Sequence, residues 1–172
     1  MSSPDSPRTS RRALLAAATA ALGTAACGFR LRGEATYAFS SVFVSAPGLP
    51  SFGAELTRAL EGTGGIQVAS SAAGAQAVVE ITRVFDDKQV LSLSPGGRVQ
   101  EYALAKFVTF RVRGGDGREW AAADEIAIRR SYTYDDSERL AREIQEQRLL
   151  REMQTDAVQQ IVRRLQSVRP PA

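Results

Sequence analysis

The period of the hydrophobic positions changes several times along this chain, and each change marks an element. Phe39 to Ala46 carries Val42, Phe43 and Val44 and ends at Pro47, which predicts a first strand. Pro50-Ser51 opens a helix in which Phe52, Leu56 and Leu60 share one face, with Gly62 just beyond its end. Gly64-Gly65 turns into a short second strand, Ile66 to Ala69, and Ser70 to Gln76 is a loop of small residues. Period two then takes over. In Ala77 to Phe85, Val79, Ile81 and Phe85 are expected on one face, with Glu80 and Thr82 on the other. Asp86-Asp87 reads as a turn, after which Lys88 to Leu93 continues as strand.

Ser94-Pro95-Gly96-Gly97 is a strong hairpin signal. Its return limb, Val99 to Arg113, is the longest strand candidate, with Tyr102, Leu104, Val108, Phe110 and Val112 in phase and Lys106 the polar exception. Gly114 to Gly117 closes a second hairpin, and Glu125 to Tyr134 forms the last strand, with Ile126, Ile128, Tyr132 and Tyr134 in phase. Asp135-Asp136-Ser137 then caps a long helix from Glu138 to about Val168. Its apolar stripe runs Leu140, Ile144, Leu150, Met153, Ala157, Ile161, Leu165 and thins across the charged stretch Arg142 to Arg151. The element order predicts an α+β two-layer sandwich, with two helices on one face of a mixed, mostly antiparallel sheet.

The first 26 residues are of another kind. Arg8, Arg11 and Arg12 precede an almost unbroken run of Ala, Leu, Thr and Gly from Ala13 to Ala26. That run is short of the roughly 20 residues that span a bilayer, and it reads as a cleaved secretory signal. Ser10-Arg11-Arg12 admits twin-arginine export, ordinary secretion being the simpler reading. Cys27, the only cysteine, stands at the expected cut. A lone cysteine forms no internal disulfide, so lipidation of Cys27 is the expected use, although Thr24 occupies the place where a lipidation signal usually has Leu. Gly28 follows it where an Asp would favour the inner membrane, which directs the expected anchor to the periplasmic side of the outer membrane. Residues 1–26 are thus a signal, 27–38 a lipidated tether and 39–172 a single domain.

Charge and chemistry narrow the function. Residues 1–26 carry three arginines and Asp5, and without them the net charge falls from +3 to +1, no footprint for nucleic acid. The chain has no histidine, which removes Ser-His-Asp and Cys-His catalysis and the commonest transition-metal ligand. With one cysteine, thiolate metal sites are excluded too. The pairs Asp86/Asp87 and Asp135/Asp136 are neighbours in sequence and read as a turn and a helix cap, not as acid/base couples. No enzyme, cofactor or metal is expected. Basic residues are the remaining candidates: Arg98 at the hairpin tip, Lys106 on the following strand, and Arg139 and Arg142 at the start of the long helix could meet the phosphates of an anionic lipid. Ala103, Ala105 and Phe107 alternate with the core row and would form a smooth apolar strip for a partner.

Several segments together resemble the LptE family of lipopolysaccharide-assembly lipoproteins. Cys27-Gly28-Phe29-Arg30-Leu31-Arg32-Gly33 is similar to its lipidated start, and Gly97 to Tyr102 with the alternation through Val112 to its central hairpin. Arg130-Ser131-Tyr132, Leu140-Ala141, Arg151-Glu152-Met153 and Arg163-Arg164-Leu165 resemble its strand-to-helix segment and helix end. The resemblance implies a two-layer domain seated in the lumen of the LptD β-barrel as plug and assembly partner, helping lipopolysaccharide reach the outer leaflet and binding it through basic residues. Arg142 matches a basic position of the family, and Arg98 lies near the corresponding tip. Two other readings stand beside it: an auxiliary lipoprotein of another envelope lipid-transport system, and a periplasmic hydrolase, for which no catalytic pair is found.

Overall fold

The computed structural model describes residues 36–133 and 139–171, except for the side chains of residues 139–141. The expected signal, Cys27, Tyr134 and the expected cap at Asp135-Asp136-Ser137 lie outside the described residues. The elements run β1 (Ser41–Ser45), α1 (Pro50–Glu61), β2 (Gln67–Val68), a single 3-10 turn at Ala72–Gly74, β3 (Ala77–Leu93), β4 (Val99–Gly114), β5 (Glu119–Thr133) and α2 (Arg139–Leu165). The strand order is β2-β1-β3-β4-β5. β1 is parallel to both β2 and β3, and the two remaining pairings are antiparallel. The expected α+β sandwich, with two helices and a mixed sheet, is what forms.

Local chemistry explains the first unit. Pro50 sits in the first turn of α1, where its missing N–H costs nothing. Phe52, Leu56 and Leu60 all point into the core. Gly53 faces the end of β1, where an added Cβ would stand 3.0 Å from that of Ala46. A larger residue there would push α1 off the sheet.

One cluster unites both helices with the sheet. It joins Phe52, Leu56 and Leu60 to Val42, Val79 and Ile81, to the β4 row Leu104, Val108, Phe110 and Val112, and to Ile126, Ile128 and Tyr132 of β5. From α2 it takes Met153, Ala157, Val158, Ile161, Val162 and Leu165. Glu55 of α1 accepts hydrogen bonds from Gln154 (2.6 Å) and Thr155 (2.7 Å), which fixes the two helices side by side.

Four expectations are corrected. No turn forms at Asp86-Asp87; β3 runs straight through, because Asp86 pairs in register with Lys106 and Asp87 with Ala105. Phe85 is not on the face of Val79 and Ile81. The register jumps from Ile81↔Phe110 to Arg83↔Thr109, so Thr82 is the extra residue of a β-bulge. Beyond it Val84 opposes buried Val108, and Phe85 opposes Phe107 on the other face. β5 starts at Glu119, six residues earlier than Glu125, because the run Ala121-Ala122-Ala123 carries no alternation to betray it. Finally, Ile144 is 62% exposed rather than on the stripe of α2. The line that faces the sheet passes through Arg142, Glu146, Leu149 and Leu150 before reaching Met153, so the first half of α2 meets the sheet through polar groups.

This division of α2 is testable. Ile161→Ala should cost about 2–5 kcal/mol, the usual loss for a fully buried aliphatic chain, while Ile144→Ala should stay within about 0.5 kcal/mol. Urea unfolding followed by circular dichroism measures both.

Candidate functional site

The sheet has one face under the helices and one without. On the uncovered face the odd residues of β4, namely Ala103, Ala105, Phe107, Thr109, Arg111 and Arg113, are all partly exposed. Register places Gln89, Asp87 and Phe85 beside the first three on one flank, and Ser131, Arg129 and Ala127 on the other. The expected strip Ala103-Ala105-Phe107 therefore does lie on the open face, flanked by small and charged groups.

Its centre is aromatic. Phe85 and Phe107 stack with ring centroids 4.7 Å apart and planes 12° from parallel. The Arg83 guanidinium lies 4.1 Å from the Phe85 centroid, and that of Arg129 5.9 Å from the Phe107 centroid. Two cations thus bracket two rings in a row across three strands, an arrangement that stabilises the rings where the helices do not cover them. Nearer β1, Glu80 accepts from Arg111 at 2.5 Å and also from Arg113. Burial pushes the Glu80 carboxyl up, but the bonds from the two arginines outweigh it and hold it below the usual carboxylate range.

The covered face carries a second polar group, under the first half of α2. Lys88 Nζ donates to Glu146 at 2.5 Å, and the Tyr132 hydroxyl donates to the same carboxylate at 2.6 Å. Lys88 also sits 4.3 Å from the centroid of Tyr102, whose ring packs 5.8 Å from that of Tyr132. Burial raises the Glu146 carboxyl, yet the bonds from Lys88 and Tyr132 prevail and its pKa is lowered. For Lys88, burial works against the charged form, and the Glu146 carboxylate overcomes it and raises the pKa. The Tyr132 hydroxyl is raised by burial and then by its bond to Glu146. At neutral pH this is a closed ion pair with a neutral phenol, an anchor for α2 and not a proton-transfer couple.

The expected anion-binding residues do not converge. Arg98 is exposed in the hairpin turn. Lys106 is only 4% exposed and stands in the core row, its ammonium 2.5 Å from Asp86. Eight strand positions, or roughly 26 Å, separate the two along β4. Arg142 is 8% exposed, buried in the first turns of α2. Arg139 begins that helix, and its side chain lies outside the described residues. Arg98 is the exposed one among the three whose side chains are described. Among the described residues no three His, Cys, Asp or Glu side chains converge as metal ligands, and no helix is long and apolar enough to cross a membrane.

The sequence places Ala103, Ala105 and Phe107 on this face, and it does not show Arg83 and Phe85, or Arg129 as their neighbour, in the same row. A signal existed: Thr82-Arg83 interrupts the alternation with two polar residues, and Val84-Phe85 resumes it out of phase. Lys88 and Glu146, far apart in the chain, leave no such local trace.

Comparison with known proteins places the architecture. The family model described as LptE: Lipopolysaccharide-assembly matches residues 36–165. The solution structure of an uncharacterized lipoprotein B from Nitrosomonas europaea is 33% identical, covers 81% of this chain and 91% of its own, and superposes with a TM-score of 0.72. The rare lipoprotein B of Shewanella oneidensis is 26% identical, with 74% and 95% covered and a TM-score of 0.66. A minor lipoprotein of Acinetobacter baumannii, 21% identical over 78% of this chain and 97% of its own, shares the fold with a TM-score of 0.64. No curated protein matches the chain.

The Glu146 anchor makes a pH prediction. Its folded pKa is depressed, so its contribution is present above the unfolded carboxylate value of about 4.3 and lost as pH falls through the lower folded value. Glu146→Gln should cost about 1 kcal/mol at neutral pH. The gap between variant and parent should close on acidification below that range, as read by thermal unfolding across a pH series.

Proposed function

Because the chain belongs to the LptE lipopolysaccharide-assembly family, we propose that it is a lipid-anchored outer-membrane lipoprotein that sits in the lumen of an LptD-type β-barrel, serves as its plug and assembly partner, and binds lipopolysaccharide on its way to the outer leaflet. The observation that supports the plug reading best is the uncovered sheet face. A barrel lumen is lined by polar side chains alternating with outward apolar ones. The open face answers that surface with arginines, acids and amides set around the low relief of Ala103 and Ala105. Cys27 supplies the anchor in this reading, and no cofactor, metal or catalytic step is required.

For lipopolysaccharide, Arg98 is the candidate the geometry favours, since its side chain is exposed at a tip. Lys106 contributes in place, by holding Asp86, and would have to break that pair to meet an external phosphate. Arg139 and Arg142 remain candidates at the start of α2, a buried Arg142 acting only where the helix start yields to the ligand.

The full-length tagged protein, recovered from detergent-solubilised outer membranes, should carry one large β-barrel protein in equal amount. Recovery of inner-membrane transporter subunits, or of no partner, would instead favour an auxiliary lipoprotein of another lipid-transport system. Ala105→Arg, which places a long cation in the strip, should reduce barrel recovery at least about tenfold, the scale of a side chain misplaced in an interface, with thermal unfolding unchanged. Separately, Arg98→Ala should weaken lipopolysaccharide binding several-fold at low salt, with the difference shrinking as salt is raised. Equal binding at low and moderate salt would remove Arg98 from the assignment.

A further inference from the structure

The tip of the β3–β4 hairpin combines features found together nowhere else among the described residues. Of the large hydrophobic side chains exposed among the described residues, Val90 (51%), Leu91 (56%) and Leu93 (57%) fall within four positions of this hairpin, and Ile144 on α2 is the other. Single exposed aliphatics are ordinary on protein surfaces; a cluster of three at the end of one ribbon is not. Arg98 faces Ser94 across the turn, next to the pair Leu93↔Val99.

The tip is built to hold its shape. Ser94 N donates to Arg98 O at 2.7 Å and Gly97 N to Ser94 O at 2.9 Å. Arg98 N donates in addition to Ser94 Oγ at 3.1 Å. Gly97 takes φ +76°, a conformation that suits glycine and completes the reversal. Irregular register around Leu91 and Ser92 twists this end of the ribbon, and the last described pair of β5 is Thr133 with Glu101, short of the pair Leu93↔Val99. At sixteen residues, β4 alone reaches roughly 50 Å, against about 25 Å for the apolar band of an outer-membrane barrel. A hairpin of that length carries its turn to the far end of the sheet, with Val90 still opposite Tyr102 and Leu93 one pair from the turn.

We propose that Val90, Leu91 and Leu93 are a lipid-chain contact: they engage the acyl chains of a phosphorylated glycolipid while Arg98 meets its phosphate. The assignment rests on the lipopolysaccharide-binding reading above and adds the apolar half of the site. A polar lumen wall offers nothing to three aliphatic side chains, whereas an anionic lipid matches both the apolar shoulder and the cation beside it. Such contacts draw their free energy from apolar area removed from water and are insensitive to salt, unlike that of Arg98.

The test uses full-length protein in cells. A photo-reactive amino acid placed at Leu91 should give a lipopolysaccharide adduct, and one placed at Glu125 on the open face should not. In parallel, the triple variant Val90→Ser/Leu91→Ser/Leu93→Ser should retain at least about tenfold less lipopolysaccharide than the parent after purification, with the loss unchanged between low and high salt. Unaltered thermal unfolding and equal barrel recovery show that the variant is folded and assembled. An adduct at Leu91 with a polypeptide, whether a barrel or a second copy, overturns the proposal. So does a triple variant that retains lipopolysaccharide as well as a parent that binds it, an outcome that leaves the broader reading standing. A parent that retains none sinks both.

Discussion

Everything in this domain depends on how one seventeen-residue strand, β3, changes the phase of its inward side part-way along its length. Its first third is pinned between β1 and β4, and Ala77, Val79 and Ile81 bury against the helices there. A regular strand would then bring Arg83 and Phe85 inward. The extra residue at Thr82 prevents this, and its hydroxyl donates to Thr109 O at 3.2 Å, which helps to hold the bulge. One inserted residue reverses the phase. Val84 turns in toward Val108, while Arg83 and Phe85 turn out to make the stacked row with Phe107 and Arg129. Core and candidate interface are two consequences of one irregularity.

The same change of phase explains the two halves of α2. Where the sheet offers Val108, Phe110 and Val112, the helix answers with Met153, Ala157, Ile161 and Leu165. Toward the hairpin tip the inward row becomes Asp86, Lys88 and Val90 and, opposite them in turn, Lys106, Leu104 and Tyr102. An aliphatic helix face over those groups would leave Lys88 and the buried Tyr132 hydroxyl without their shared acceptor. Glu146 satisfies Lys88 and Tyr132 instead, and Asp86 satisfies Lys106. The docking of α2 therefore combines an apolar clamp with a polar latch, and the latch is the half that responds to pH.

Much of this was legible in the chain. Period two in Leu104 to Val112 and the Pro50 to Gly62 helix were read with their faces correct, and so were both hairpin turns, because each rests on local patterns a few residues long. Ile144 differs from its expected place because the sheet surface there presents Lys88 and the Tyr132 hydroxyl, which select Glu146 over an aliphatic side chain. Phe85 was misread because a bulge leaves only a stutter in the alternation. Lys106 reads as a candidate for an external phosphate only while Asp86 reads as a turn; once β3 runs through, the two are a pair. The strip at Ala103, Ala105 and Phe107 was correctly placed on the face opposite the core row, but the residues that flank it come from other strands. Register across strands is a tertiary fact, and no window of sequence contains it.

The ribbon also solves a problem of its own making. Among the described residues, β3 beyond Glu80 has no strand neighbour on its outer side and β5 has none, so two long edges are open to pairing with other chains. Both edges are charged: Arg83, Asp86, Asp87 and Lys88 line one, and Asp124, Glu125, Arg129 and Arg130 the other. Several of these charges are tied to the domain, Arg130 to Asp156 and Asp124 to Arg164. Stacking a second sheet edge against them would desolvate ion pairs that now face water, which disfavours indiscriminate strand addition. A partner that surrounds the ribbon without pairing with its edges meets no such penalty. A polar lumen would be a partner of that kind, and it would leave the tip, where Val90, Leu91 and Leu93 accompany Arg98, as the part of the ribbon with unspent hydrophobic surface.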